Sequence, residues 1–99
     1  MVAANDKSNR PRFPLGRLVA TPAAIAAMEA AGQSPLELFQ RHQSGDWGSI
    51  SPEDAAENEL SVTDGFRIMS VYNLVSGVKV WLITEADRSV STILLPEEY

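Results

Sequence analysis

The sequence predicts a single α+β domain, with helices first and a three-stranded antiparallel meander last. Three observations carry this. Thr21-Pro22, Ser34-Pro35 and Ser51-Pro52 each pair a hydroxyl side chain with a following proline, the signature of an N-cap and first helical position. Beyond Thr63-Asp64-Gly65 the hydropathy period changes from helical to alternating. The chain has 99 residues, 44% apolar and 21% charged, which suits one core and one domain.

Residues 1–12 (MVAANDKSNRPR) are polar and aperiodic and read as a flexible basic tail; 13–99 form the domain. Leu18-Val19-Ala20 suggests a short edge strand at about 17–20, because Pro14 and Gly16 exclude a long central one. The first helix is expected over about 22–31. It is alanine-rich, with Ile25 and Met28 on one face and Gly32 as its stop. The second is expected over about 35–43, with Leu36 and Phe39 facing inward and Leu38 flanking; Ser34 and Glu37 have capping-box spacing. The third spans about 52–60. It carries Glu53, Asp54, Glu57 and Glu59 and few apolar residues, so its packing is thin.

The meander is expected at about 66–73, 78–84 and 90–95. Phe66, Ile68, Ser70 and Tyr72 alternate with Arg67, Met69 and Val71 along the first strand. The second (VKVWLIT) is apolar on both faces and reads as central. Pro96 closes the third. One face of this sheet should be buried against the first two helices.

Composition excludes several function classes. Cysteine is absent, so disulfides, thiolate zinc sites and a thiol nucleophile are excluded, and a reducing, cytoplasmic location is expected. No basic start leads into an apolar run, so no secretory signal is expected, and the apolar stretches are too short to span a membrane. Net charge is −5. Residues 1–17 hold four cations against one acid, while residues 18–99 carry four cations and twelve acids, a local −8. Such a body disfavours phosphate binding, leaving the basic N-terminal tail as the one segment able to touch nucleic acid. One histidine and scattered carboxylates make no metal site, and no phosphate loop, nucleophile elbow or dinucleotide fingerprint is present, so no cofactor is expected. Basic and aromatic residues meet in the meander only at Lys79 and Trp81.

Five residues remain as candidate catalytic groups. His42, the only histidine, lies near Asp46 in RHQSGDWG; such a pair could act as general acid and base. The structural reading is favoured: a histidine against the helix C-terminus, Asp46 capping a turn, Trp47 plugging the core. Asp87 and Arg88 lie in the turn TEADRS, where charged residues ordinarily collect. Arg67 should share a face with Met69 and Val71, where an arginine snorkels or finds an acid.

Two resemblances follow from these strings. Over residues 13–99, FPLGRLVATPAA, RHQSGDWG and WLITEADRSVSTILLPEEY resemble a group of short bacterial proteins carried on plasmids, phages and other mobile elements; this resemblance implies no particular activity. GFRIMSVYNLVSGVKVWLITEADRSVSTILL is similar in layout to the meander of small bacterial ribonucleases and RelE-type toxins. In its barnase-like branch a strand starting Arg-Ile leads to a Thr-x-x-Asp-His turn. Here Arg67-Ile68 and Thr84-Glu85-Ala86-Asp87-Arg88 occupy those places, with Arg88 where the histidine would stand. Ser70 and Tyr72 replace the strand carboxylate. The expectation is a non-enzymatic accessory protein of a mobile element that binds a protein partner or itself, for instance by strand pairing along Val90–Leu95. The alternative is a small ribonuclease or toxin-like enzyme of RelE/barnase type.

Overall fold

The computed structural model describes residues 10–99; the first nine residues of the expected tail lie outside them. The element order is β1 (Arg17–Ala20), α1 (Pro22–Ala31), α2 (Pro35–Gln43), α3 (Pro52–Asp64), β2 (Ile68–Asn73), β3 (Lys79–Thr84) and β4 (Val90–Leu94), followed by a short 3₁₀ turn at Pro96–Glu98.

All three helix starts use the cap read from the sequence. Thr21, Ser34 and Ser51 accept hydrogen bonds from the backbone N–H of Ala24, Leu36 and Asp54, each stabilising its helix by about 1 kcal/mol. Ser34 caps through Leu36 rather than through Glu37. Gly32 and Gly65 end α1 and α3 in the left-handed conformation.

The sheet has four strands and is mixed, in the order β1-β4-β3-β2. This corrects the three-stranded antiparallel meander. β2, β3 and β4 do pair antiparallel as expected, but β1 adds parallel to β4, with Arg17 opposite Val90 and Ala20 opposite Ile93. β4 is therefore an interior strand, and the free-edge role suggested for Val90–Leu95 falls.

One sheet face packs under α1 and α2. Its core joins Ala24, Met28, Leu38 and Phe39 from the helices to Tyr72, Val80, Leu82 and Ile93 from the strands. Two helix faces turn differently than expected. In α1 the buried pair is Ala24 and Met28, four apart, and Ile25 is exposed. In α2, Leu38, Phe39 and His42 point inward, and Leu36 is 59% exposed. α3 is a full turn longer than expected. It lies along the β2 edge and helps bury Phe13, Trp47 and Ile68 through Ala55 and Val62.

Candidate functional site

His42 is fully buried. α2 presents it one turn beyond Leu38 and Phe39, against the inward-facing hydroxyls of three neighbouring strands. Its Nδ1 is 2.6 Å from Ser70 Oγ, and its Nε2 is 2.9 Å from Thr84 Oγ1. Thr84 Oγ1 lies 2.6 Å from Ser91 Oγ, which donates to the Leu15 carbonyl at 2.8 Å. Each hydroxyl has one proton, so the chain runs in one direction. Ser91 gives its proton to Leu15, Thr84 therefore gives its own to Ser91, and His42 Nε2–H donates to Thr84. Nδ1 is left to accept from Ser70. This arrangement suits a neutral imidazole, and burial disfavours the charged form. Burial pushes the His42 pKa down from 6.5 to about 3, and the positive charge of Arg88 adds to the effect. Phe13 and Trp47 meet the ring edge-on at centroid distances of 5.2 and 5.8 Å. The result is a sealed polar chain linking α2, three strands and the segment leading into β1.

Arg88 sits over the Phe13 ring, 5.7 Å from its centre. Its φ of 61° is the one positive value at a non-glycine among the described residues. From that position its guanidinium donates to the carbonyls of Phe66 and Ser61, both at 2.7 Å, and to Glu85 and Ala86 at 3.2 Å. It binds the last turn of α3 and the β3–β4 turn together through backbone carbonyls. Asp87 is exposed and accepts from the Ser89 backbone N–H at 3.0 Å; bonds from Ser89 hold its carboxyl below the ordinary range.

Asp46 binds Arg41 Nε at 2.7 Å and the Gly48 N–H at 3.1 Å. Burial raises its pKa, but those two bonds outweigh it and hold the carboxyl low. Asp46 orients Arg41, which lies 4.6 Å from the Tyr72 ring centre, and not His42. Arg67 is on the opposite sheet face, paired with Glu85 at 3.3 Å and bonded to the Tyr99 hydroxyl at 2.5 Å. His42 and Arg88 thus share Phe13, while Asp46, Asp87 and Arg67 each lie in a separate local network.

Family models, curated proteins and solved structures give no match to this chain.

What the sheet leaves open is its other face. A groove of about 620 Å³ runs between α3 and the strands. Met69, Val71 and Trp81 form its floor; Asp54, Glu57 and Asn58 form one wall; Arg67 and Lys79 are among its lining residues. Of the five candidates, only Arg67 lines it. Asn58 builds the wall: its amide donates to the Met69 carbonyl at 2.8 Å and accepts from the Met69 N–H at 3.2 Å, imitating a further strand. Ser49 N–H and the Trp47 carbonyl satisfy Val71 in the same way. The β2 edge is thereby closed to another strand.

Sequence reasoning missed most of this groove. The Lys79–Trp81 pairing and the acids of α3 were visible, but nothing local told that the helix would stand beside that strand face. Among the described residues no three His, Asp or Glu side chains cluster to hold a metal ion, and no helix is long and apolar enough to cross a membrane.

Proposed function

We propose that this chain is a non-enzymatic accessory protein of a mobile element that acts by binding another protein, and that the groove on the outer sheet face is where it binds. The single observation supporting this is the groove itself: an apolar floor with a partly exposed Trp81, framed by charged groups of both signs. Interfaces combine an aromatic anchor with a polar rim in this way. A photo-crosslinking residue at Lys79, in cells carrying the native gene neighbourhood, tests it. A discrete polypeptide adduct is expected there and not at the exposed turn residue Val75. Equal labelling at both positions, or at neither, would defeat the reading.

A ribonuclease of RelE/barnase type is the second reading. The observation favouring it is the solvent-facing trio of Arg67, Glu85 and Tyr99, which sets a cation, a carboxylate and a hydroxyl within hydrogen-bond reach. It predicts growth arrest on expression and RNA cleavage lost in Arg67→Ala. Harmless high-level expression with intact RNA would remove it.

A further inference from the structure

We propose that the groove takes an extended, basic segment of the partner, with a lysine or arginine stem lying along Trp81 and its charge between Asp54 and Glu57. The proposal rests on the protein-binding reading and adds the partner's chemistry.

The charge distribution supports it first. α3 carries five acids and no Lys or Arg in PEDAAENELSVTD. Glu59 is met by Arg12 at 2.6 Å. Asp54 and Glu57, three residues apart and so on one helix face, have no ion-pair partner among the described residues. At one end of the groove the Arg67 charge is already met by Glu85, so it does little to offset that wall. Lys79 is the remaining cation. It pairs with Asn73 in the register of β2 and β3, next to the hairpin turn and away from the Arg67 end. The cation of a bound segment is therefore directed away from Lys79 and toward the α3 wall.

The floor gives the second argument. An indole that lines one groove with two carboxylates suits an arginine or lysine, whose alkyl stem covers apolar surface while its charge reaches toward the acids. Acidic peptides, nucleic-acid phosphates and anionic lipid surfaces would all meet Asp54 and Glu57 in a body of local charge −8.

With Met69 and Val71 already bonded to Asn58, Trp47 and Ser49, a partner gains no strand-pairing bonds at this edge. Recognition falls to side chains. Arg67 to Val71 spans roughly 13 Å at about 3.3 Å per residue, the length of about five residues of extended chain.

The test titrates the ¹⁵N-labelled full chain with a blocked peptide alternating arginine and valine, and with glutamate–valine and serine–valine counterparts. Shifts from the basic peptide are expected at Met69, Val71, Lys79 and the Trp81 indole N–H. Asp54→Asn combined with Glu57→Gln should weaken binding roughly tenfold, and Lys79→Glu should strengthen it several-fold. Unfolding midpoints check that these surface variants stay folded. Shifts confined to the Glu53 side of α3, or an affinity unmoved by the double variant, overturn the proposal. Groove shifts from the glutamate or serine peptide alone overturn the basic partner but leave the protein-binding reading standing. Silence from all three peptides overturns the basic partner, and with crosslinking at Lys79 also absent, both readings fall.

Discussion

Arg88 looks in sequence like the cation of an active turn, and in space it is a fastener. Four carbonyls accept from its guanidinium, and its backbone holds a left-handed φ of 61° to bring it there. Bonds from a charged donor contribute about 1.5–3 kcal/mol, and the left-handed conformation costs roughly 1 kcal/mol at a non-glycine residue. Arg88→Ala is therefore expected to destabilise by about 2–3 kcal/mol in urea unfolding, and Arg88→Gly by less, because glycine relieves the backbone. Unchanged stability in Arg88→Ala would return the residue to the list of catalytic candidates. The sequence showed that Arg88 lies in a turn and that Ser70 shares one strand face with Ile68 and Tyr72. It did not show their partners, because a hydrogen bond from residue 88 to residue 61, or from residue 42 to residue 84, leaves no local pattern.

Elements were legible where their own residues specify them. Hydroxyl–proline pairs placed three helix starts; alternation placed the first strand of the meander, a run apolar on both faces the second, and Pro96 the end of the third. β1 was foreseen as a short edge strand, but its parallel partner was not: Arg17 meets Val90 across almost the whole chain, a pairing set by tertiary packing. The last turn of α3 escapes the sequence reading because its apolar residues are few; Ala55 and Val62 pack on the Trp47 cluster, and Asn58 adds polar bonds to β2. Asn58 is the test of that statement. Replacing it with alanine removes two bonds and leaves the Met69 N–H and carbonyl unmatched, at a cost of about 2 kcal/mol. Amide exchange at Met69 should quicken together with that at Val71. Exchange there unchanged from wild type would mean that the edge is protected by something else. Gly48 sets the neighbouring bridge. Its φ is 75°, and an added Cβ would lie 1.9 Å from the Val71 carbonyl oxygen, so Gly48→Ala should break the bridge and lower the unfolding midpoint by more than Asn58→Ala does.

For the molecule as a whole, the buried histidine predicts how stability follows pH. The folded state holds His42 near 3, while the unfolded chain titrates it near 6.5. Below 6.5 the unfolded state takes up a proton that the folded state refuses, so stability is complete above that pH and declines as pH falls. The slope approaches about 1.4 kcal/mol per pH unit. Asp46 and Glu59, which their partners hold low, add their own losses only near and below their ordinary values of 3.8 and 4.5. The interval from about pH 6.5 to 4.5 therefore belongs to His42 and is worth roughly 2–3 kcal/mol. Urea unfolding across it should show this slope in the wild type and a nearly flat line in His42→Gln, whatever the variant's absolute stability. A wild-type line as flat as the variant's would contradict the buried, neutral ring.

Commitment of the only imidazole to holding the strands together leaves recognition to the exposed sheet face. Long-range ¹H–¹⁵N spectra of the His42 ring test this most directly. A proton on Nε2, a bare Nδ1 and no titration down to about pH 4.5 are expected; a ring that titrates with a midpoint near 6.5, or one carrying its proton on Nδ1, would overturn this assignment.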